Sequence, residues 1–301
     1  MDQLASMRVL IATVEAGSLS AASRRLGLPL ATVSRRVAEL EAHLGARLLN
    51  RTSRKLELTE AGRDYAAAAR RILDDVAEAE RAAAGEYMAP RGDLIVTAPL
   101  VFGRLHVLPV VVEFLAAFAD VDVRLLLNDR NVDLIADHID LAVRIGELPD
   151  SSMVAVGVGA ISRVVCGSPG YFARRGRPST PDDLAGHDSV TFESLMPQAS
   201  WNFARGKADI VAQIRPRLAV NTAEAAIDAA IAGVGLTRVL AYQAASALAD
   251  GRLEIVLREF QPLPAPVNLV HPGGRLLPRK VRAFLDLAVP RLRAAIAGLP
   301  A

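Results

Sequence analysis

The chain has 301 residues, of which 51% are hydrophobic and 23% charged, and its formal net charge is +2. This length allows two or three domains with a sizeable core, and the composition is ordinary for a globular protein. The small net charge excludes an argument from total charge for a polyanionic partner, and the single cysteine, Cys166, excludes an intramolecular disulfide.

The N-terminus and the apolar segments predict a cytoplasmic protein without a membrane partner. Asp2 lies where a signal peptide carries positive charge, and Glu15 interrupts the first apolar run. The most apolar segment, VLPVVVEFLAAF, is broken by Pro109 and Glu113 and falls short of the roughly 20 apolar residues that span a bilayer. We therefore expect neither export nor membrane insertion.

Hydrophobic periodicity predicts three short helices at the start of the chain. The first buries apolar residues spaced by three and four: Leu4, Met7, Leu10, Ile11 and Val14. Gly17 ends it, and Ser18 is a candidate N-cap for a second helix over residues 19–26. Gly27 makes a tight turn into a third helix over residues 31–44, which ends at Gly45.

The third helix has an apolar side and a slim polar side. Its apolar residues fall within about 60° of one another around the helix: Val33, Val37, Leu40 and Leu44. The opposite side carries small or hydrogen-bonding side chains: Ala31, Arg35, Ala38 and Ala42, with Thr32 and Ser34 at its flanks. A helix that only fills a core needs no such face.

Positive charge is concentrated around this helix. Residues 24–55 contain eight basic and two acidic residues, a net charge of +6 in 32 residues, so the rest of the chain carries −4. The basic residues are Arg24, Arg25, Arg35, Arg36, Arg47, Arg51, Arg54 and Lys55, and the acidic ones are Glu39 and Glu41. The segment LLNRTSRKLELT alternates around a polar centre, which predicts a small β-hairpin, a wing, with Arg51, Arg54 and Lys55 at or near its tip.

Two helices joined by a glycine turn, with hydrogen-bonding groups at the start of the second, are typical of a helix-turn-helix. Such a helix enters the major groove, where Arg35 can bond a guanine edge bidentately and Thr32 and Ser34 can reach bases or phosphates. Phosphate contacts suit three further arginines: Arg24, Arg25 and Arg36. A basic wing suits the DNA backbone or the minor groove. The alternative is a solvated basic face on an unrelated three-helix unit.

Residues 59–88 are rich in alanine and predict one long helix with Thr59 as its N-cap. Apolar residues alternate at spacings of four and three, as in a heptad seam: Tyr65, Ala69, Ile72, Val76 and Ala79. At 1.5 Å per residue the helix is about 40 Å long. Because a seam rich in alanine is thin, we expect this helix to pair with that of a second chain; packing on its own chain is the alternative.

Residues 91–301 follow a breaker cluster, APRG, and alternate strand-like with helix-like runs. This alternation predicts an α/β fold with a mostly parallel, doubly wound sheet, and about 210 residues favour two lobes. The predicted helices include a short one over residues 132–138, one at PGYFARRG and one at AEAAIDAAIAG.

The run SLSAASRRLGLPLATVSRRVAELEAHLGARLLNRTSRKLELTEAG resembles the N-terminal winged helix-turn-helix of LysR-type transcriptional regulators. The likeness rests on the AASRRLG turn, on V-S-R in the third helix, on L-E-x-x-L-G-x-x-L-x-x-R, and on L-T-x-A-G at the start of the long helix. Beyond about residue 65 it rests on the order of the regions. Many members have Ser-Gln-Pro where this chain has Pro29, Leu30 and Ala31, so Leu30 replaces a base-contacting glutamine and offers a thymine methyl only apolar contact.

The resemblance implies three parts: a winged helix-turn-helix (1–58), a linker (dimerisation) helix (59–88) and a two-lobed effector domain resembling periplasmic binding proteins (91–301). Lobe one would take residues 91–162 and 268–301, and lobe two residues 163–267. The implied partners are a double-stranded DNA operator, a small-molecule effector for which a carboxylate is one candidate, further copies in a homodimer or homotetramer, and RNA polymerase. The residues expected to contact DNA are Ser20, Arg24, Leu30, Ala31, Thr32, Ser34, Arg35, Arg36, Arg51, Arg54 and Lys55.

Effector-binding candidates lie where strands end near the expected lobe junction. Residues 97–102 span a strand end and a helix start, where free N–H groups attract an anion; an ordinary turn is the alternative. Arg144 suits a carboxylate or a structural salt bridge, Asn221 caps a helix or also touches the ligand, and Trp201 is a lid or part of the core. The full set is Thr97, Ala98, Pro99, Leu100, Phe102, Arg144, Trp201, Asn221 and Thr222.

The sequence carries no recognisable enzyme motif. Gly157 and Gly159 are not followed by a helix-opening glycine, so the dinucleotide fingerprint fails, and there is no G-x-S-x-G. The five histidines lack metal-ligand spacing, and Cys166 lies in an apolar strand, where packing is expected rather than redox sensing. We expect a regulator without a cofactor or metal; a solute-binding module and an enzyme that uses the cleft are the alternatives.

Overall fold

The computed structural model describes residues 2–51, 56–83, 89–130, 132–192, 199–206, 208–273 and 277–299. The chain divides into two compact units between Met88 and Ala89. The N-terminal unit contains α1 (Gln3–Ala16), α2 (Leu19–Leu26), α3 (Leu30–Leu44), β1 (Leu49–Arg51), β2 (Leu56–Leu58) and α4 (Glu60–Ala83), and β1 pairs with β2 in an antiparallel hairpin. This is the predicted order of three helices, a hairpin and a long helix.

Polar caps and glycines set the ends of the first three helices. The Asp2 carboxylate accepts a hydrogen bond from the Ala5 N–H (3.0 Å), and the Ser18 hydroxyl accepts one from the Ala21 N–H (3.1 Å). The C-caps of α1, α2 and α3 are glycines with φ between 64° and 69°, a left-handed conformation that is strained for residues with a Cβ. The predicted cap at Ser18 and the three glycine ends are confirmed.

The apolar side of α3 fills the core of the N-terminal unit. Val33, Val37 and Leu40 are fully buried. The core around them includes Val9, Leu10, Ala22, Leu48 and Leu49. Leu44 is 38% exposed, so its assignment to the buried stripe is wrong. It lies in the last turn of α3, beyond the edge of this core.

The linker helix α4 is fixed to the N-terminal unit at its first turn. The Thr59 hydroxyl accepts a hydrogen bond from the Gly62 N–H (2.9 Å), which confirms the predicted N-cap. A Cβ on Gly62 would lie 2.0 Å from the Leu48 carbonyl oxygen. Glycine at this position therefore lets α4 begin directly against the start of the wing.

The predicted dimerisation seam of α4 divides into two parts. Ala69 is fully buried with Met7 and Ile11 of α1, and Tyr65 is half-buried against the same cluster. The expectation that Ala69 faces a partner chain is therefore wrong, because its methyl group is used in the core of its own chain. The later seam positions have surface left for a partner: Ile72 (42% exposed), Val76 (half-buried) and Ala79 (exposed).

The C-terminal unit is an α/β structure of twelve strands among the described residues. Its elements are β3 (Gly92–Ala98), α5 (Leu100–Phe102), a π-helical turn (Gly103–Val107), α6 (Leu108–Ala117), β4 (Val121–Leu127), β5 (Leu141–Ile145), β6 (Met153–Ile161), β7 (Arg163–Gly167), α7 (Pro169–Arg175), a 3-10 turn (Pro181–Gly186), β8 (Asp188–Phe192), β9 (Ser200–Arg205), β10 (Ala208–Gln213), β11 (Arg215–Val220), α8 (Ala223–Ile231), β12 (Leu236–Leu240), α9 (Ala241–Ala249), β13 (Glu254–Val256), a 3-10 turn (Arg258–Phe260), β14 (Ala265–Pro272) and α10 (Arg279–Ala297).

Two five-stranded sheets define two lobes. Lobe one has the strand order β4-β3-β5-β14-β6, and lobe two has β11-β8-β12-β7-β13 beside a hairpin of β9 and β10. β3 is parallel to β4 and β5, and β8 is parallel to β11 and β12. β7 and β14, the strands that carry the chain into and out of lobe two, run antiparallel to their neighbours. Both sheets are therefore mixed, and the expectation of a mostly parallel sheet is wrong.

Two predicted boundaries in this unit change. The chain returns to lobe one at Ala265, the first residue of β14, rather than at 268. The short helix predicted over residues 132–138 is absent from its described part, which forms turns. There the Asp133 carboxylate accepts hydrogen bonds from the N–H groups of Ile135 (2.9 Å) and Ala136 (3.1 Å), as an N-cap does. The turn ends at His138, whose φ of 59° is left-handed and cannot continue a right-handed helix.

The apolar helical run of lobe one is longer than predicted. α5, the π-helical turn and α6 follow one another over Leu100–Ala117, 18 residues of mean hydropathy 1.8, which by length and composition could cross a membrane; so could α1 with α2, if the 118° bend between them is ignored. The expectation that no segment approaches this length is wrong, because the apolar pattern begins at Leu100. Phe102 and Phe114 on this run pack with Phe284 in the lobe-one core, as expected for a core helix.

A buried ion pair joins α10 to the sheet of lobe one. Lys280, 8% exposed, donates a hydrogen bond through Nζ to the Asp93 carbonyl oxygen, and its Nζ lies 3.5 Å from Asp140 Oδ2. The same Oδ2 atom accepts a hydrogen bond from the Ile95 N–H (2.8 Å). The pair therefore connects the start of α10 with β3 and with the residue before β5.

Replacing Lys280 with Met is expected to lower the free energy of unfolding by about 2–4 kcal/mol, because the Asp140 carboxylate would stay buried without its cation. Chemical denaturation followed through the fluorescence of Trp201, the single tryptophan, measures this loss. Arg282→Met, at an exposed position on the same helix, is the control and should change stability by less than about 0.5 kcal/mol. Equal midpoints for the two variants would contradict the role of the ion pair.

Cys166 of β7 is buried in the core of lobe two, where it packs with Ile227 of α8 and Ala244 of α9. Burial raises the pKa of its thiol to about 12. Since the thiolate is the reactive form of cysteine, this environment favours the predicted packing role.

Maleimide labelling of native Cys166 is expected to be negligible at pH 8, because a thiol with a pKa of about 12 has roughly one thiolate in ten thousand molecules there. In the folded protein the rate should stay low even at pH 9. The same reagent should label the chain completely within minutes in urea, where the thiol regains an ordinary pKa. Rapid labelling of the native protein would show that Cys166 reaches solvent.

Candidate nucleic-acid interface and inter-lobe cleft

The turn between α2 and α3 is held by hydrogen bonds across it. The Ser23 hydroxyl donates to the Leu28 carbonyl oxygen (2.6 Å), and the Leu28 N–H donates to the Ser23 carbonyl oxygen (3.2 Å). α3 begins at Leu30, one residue before the predicted start, and Pro29 precedes it with φ −56°. These bonds fix the angle at which α3 leaves α2, as a helix-turn-helix requires.

The side of α3 opposite the core is exposed and built of small residues. Ala31, Arg35, Ala38 and Ala42 are exposed, and Thr32, Ser34 and Arg36 at the flanks are half-buried. The Arg35 side chain is 69% exposed, and its Nε lies 3.8 Å from Glu39 Oε1. The sequence-predicted face is therefore present, with its guanidinium and hydroxyl groups on the surface of the unit.

The wing is anchored to α3 through Glu41, which the sequence marked only as an acidic residue within the basic region. Glu41 Oε1 accepts hydrogen bonds from the N–H groups of Leu48 (2.8 Å) and Leu49 (3.1 Å) at the start of the hairpin. In the sequence, this residue could have been singled out through the L-E pair of the family pattern, formed by Leu40 and Glu41. Arg54 and Lys55 lie outside the described residues, and for Arg51 only the backbone, paired with Leu56, is described.

Positions on and before α3 differ in their availability to DNA. Ser20 and Arg24 of α2 are exposed, and Leu30 is 47% exposed. Arg25 Nη1 lies 2.7 Å from Glu15 Oε2, and Glu15 Oε1 lies 3.7 Å from Arg70 Nε of α4. Arg25 therefore makes an ion pair with α1 in this structure, and its contact with a DNA phosphate stays a prediction.

In the strand-to-helix turn after β3, one of the N–H groups that were predicted to be free is already paired. The Leu100 N–H donates to Asp129 Oδ1 (3.0 Å), so a carboxylate of the chain occupies the position expected for an anionic ligand. The Thr97 hydroxyl donates to the Leu126 carbonyl oxygen (3.1 Å). Thr97, Ala98 and Phe102 are buried, and Pro99 and Leu100 are half-buried. An anion at this turn would have to displace the Asp129 carboxylate from Leu100, and its binding there stays a prediction.

Arg144 lies near the end of β5, at the junction side of lobe one. Its Nη2 donates to the Val132 carbonyl oxygen (2.6 Å). Burial lowers the pKa of its guanidinium from the ordinary value. The bond fixes the direction of the side chain.

Two predicted cleft residues in lobe two have structural roles. The Thr222 hydroxyl accepts a hydrogen bond from the Ala225 N–H (3.2 Å), so Thr222 rather than Asn221 is the N-cap of α8. Asn221 is exposed at the end of β11. Trp201 is buried in the lobe-two core beneath the guanidinium of Arg238 (5.8 Å), so the lid interpretation is wrong.

An aromatic cluster that the sequence did not indicate joins the two lobes. The Tyr242 ring of α9 lies 5.7 Å from the rings of both Phe102 and His106 in lobe one. Burial, with smaller effects from Asp129 and Glu224, raises the pKa of the Tyr242 hydroxyl, while Gln243 and the Phe102 backbone lower it. Burial also lowers the pKa of His106. These rings became neighbours only through folding, so no local motif marked them.

An ion pair lies beside the aromatic cluster. Arg104 Nη2 of lobe one is 3.8 Å from Glu224 Oε1 of α8 in lobe two. The ion pair and the rings connect the helix after β3 with the first turns of α8 and α9. Chemically, the junction combines aromatic surface, a cation and carboxylates, groups that can bind and orient a small polar molecule.

Comparison with known proteins divides the chain in the same way. Residues 4–63 match the family of bacterial regulatory helix-turn-helix proteins of the lysR type, and residues 89–293 match the LysR substrate binding domain. An HTH-type transcriptional regulator of Xanthomonas campestris is 36% identical over 288 residues, which cover 94% of this chain and 84% of that protein. An HTH-type transcriptional repressor of Pseudomonas aeruginosa is 34% identical over 95% of this chain and 91% of its own.

Solved structures of two regulators match nearly the whole length of the chain. AphB, the virulence activator of Vibrio cholerae, matches with a TM-score of 0.60 at 26% identity and covers 95% of this chain and 98% of its own. CrgA, a LysR-type transcriptional regulator from Neisseria meningitidis, matches with a TM-score of 0.60 at 29% identity over the same shares. The chain, with its exposed third helix, wing and two-lobed domain, belongs to the LysR family and is a DNA-binding transcriptional regulator controlled by a small-molecule effector.

Proposed function

We propose that this regulator reads its operator through the exposed side of α3 and holds the DNA backbone through α2 and the wing. The observation that carries the proposal is the exposed row Ala31, Arg35, Ala38 and Ala42, which is thin enough for a major groove. Arg35 bonds a guanine edge, Thr32 and Ser34 reach bases or phosphates, and Leu30 contacts a thymine methyl. The phosphate contacts come from Ser20, Arg24, Arg36, Arg51, Arg54 and Lys55.

We propose that two chains pair through the later part of α4, at Ile72, Val76 and Ala79, with Tyr65 at the edge of the contact. Paired linkers place two winged helices on half-sites about one DNA turn, or a multiple of it, apart. α6 and the turn before it present an apolar row to solvent: Leu105, Leu108, Val112 and Leu115, which are 39–60% exposed. Burial of this row between effector domains would extend the homodimer to a homotetramer.

The effector is proposed to lie between the lobes, near Asn221, Thr222 and the turn over residues 97–102, and to leave unchanged, without catalysis. Arg144 is the proposed anchor for an effector that carries a carboxylate. An effector that binds one lobe arrangement more tightly than the other shifts the population, and with it the spacing of the winged-helix pairs on DNA. That shift changes DNA bending and access to RNA polymerase in the cytoplasm.

The DNA-reading role is tested with duplexes that the full-length protein selects from a randomised library. The logarithm of the binding constant should fall linearly with the logarithm of the salt concentration, with a slope of about −0.9 per phosphate contact. Arg35→Ala should cost about 1–3 kcal/mol on the selected duplex and little on a shuffled one, because a base contact is lost. Arg36→Ala is the control and should weaken both duplexes equally. A uniform loss for Arg35→Ala would contradict base reading, and a slope near zero would favour a solute-binding module.

The linker interface is tested by placing charge in its proposed seam. Ile72→Asp combined with Val76→Asp should yield monomers in sedimentation velocity, because two carboxylates per helix would be buried against their copies. Ala67→Asp, on the opposite and exposed side of α4, should leave the mass of the assembly unchanged. An unchanged mass for the seam variant would remove these residues from the interface.

A further inference from the structure

The exposed side of α3 carries an acidic residue that the DNA-reading role does not use. Glu39 lies one turn after Arg35 and about 40° from it around the helix. The rest of this side consists of Ala31, Ala38 and Ala42, which are exposed and do not shield the two charged groups. Any duplex that α3 approaches would therefore meet Arg35 and Glu39 together.

Helix stability does not account for this carboxylate. The Arg35 Nε to Glu39 Oε1 distance is 3.8 Å, and the two side chains are 69% and 47% exposed. An exposed ion pair of this kind contributes little to folding. The other acidic residue of the basic region, Glu41, by contrast accepts two backbone hydrogen bonds that hold the wing.

Electrostatics gives Glu39 a clear effect at a DNA surface. Residues 24–55 carry a net charge of +6, which attracts DNA of any sequence through its phosphates. Arg35 alone could contact phosphates as readily as base edges. A carboxylate beside it repels phosphates and limits the directions open to the guanidinium. The pair is then favourable at a guanine edge on the groove floor and unfavourable along the backbone.

We infer that Glu39 is a specificity-determining residue, which positions Arg35 for base reading and weakens binding to non-operator DNA. The inference rests on the proposed base-reading role of Arg35. The residue acts through Arg35, so it is a positioning residue rather than a base reader. Its loss should leave a protein that binds DNA more tightly and selects its sequence less.

The test measures the affinity of full-length Glu39→Gln for the duplex selected by the wild-type protein and for a shuffled duplex of the same composition. Removing one negative charge should raise affinity for the shuffled duplex by about threefold to tenfold. The ratio of the two affinities should fall by a similar factor. Asp64→Asn, the same change of charge at an exposed position of α4, is the matched control and should leave the ratio unchanged.

The double variant with Arg35→Ala separates positioning from direct reading. In the Arg35→Ala background, Glu39→Gln should no longer change the affinity ratio, because there is no guanidinium to position. An equal change on both duplexes, no change on either, or a persisting change of ratio without Arg35 would each overturn the inference. Failure of the DNA-reading proposal itself would appear separately, as a wild-type protein with no salt-dependent binding or as a uniform loss in Arg35→Ala.

Discussion

The N-terminal unit depends on one helix, α3, whose apolar side is buried and whose opposite side, built of small residues, is exposed to solvent. Val33, Val37 and Leu40 are fully buried, and each contributes roughly 1.5–3 kcal/mol by leaving water. A rotation of α3 about its axis would replace these side chains with arginine or hydroxyl groups, so the packing decides which residues face outward. Ser23 at the turn and Glu41 at the wing then fix the elements on either side. The surface offered to DNA is therefore a result of core packing, and the charge around it acts on a face whose position is already set.

The linker helix continues this rigid unit before it becomes available to a partner. Ala69 packs with Met7 and Ile11 of α1, and Glu15 of α1 reaches both Arg25 and Arg70. The first half of α4 therefore packs on the DNA-binding unit, and the proposed partner surface lies mainly in its second half. A change in the angle between two paired linkers would be carried to the winged helices through these contacts rather than absorbed at a flexible joint.

How much the sequence predicted depends on the separation of the interacting residues. The helix ends at Ser18 and Thr59 were predicted because their caps bond within three residues. The contacts in the cleft were not predicted, because they join residues that are distant in sequence. The Leu100 N–H, for example, donates to Asp129, 29 residues away. Tyr242 meets His106, 136 residues earlier, only after the chain has crossed from lobe one into lobe two. A lone tryptophan was ambiguous for a related reason, since a large aromatic side chain can stabilise a core or cover a ligand, and periodicity does not distinguish them.

The contacts between the lobes have a strength suited to control by a small molecule. The Arg104–Glu224 pair has side chains 56% and 41% exposed, so it contributes at most about 1 kcal/mol. The contacts of the Tyr242 ring with Phe102 and His106 contribute about 0.5–1.5 kcal/mol each beyond the area they bury. Together these contacts amount to about 1–4 kcal/mol. An effector that binds one lobe arrangement a hundredfold more tightly supplies about 2.8 kcal/mol, which is of the same size. Contacts much stronger than these would hold the lobes in one arrangement whether or not the effector was bound, and much weaker ones would define no arrangement for it to select.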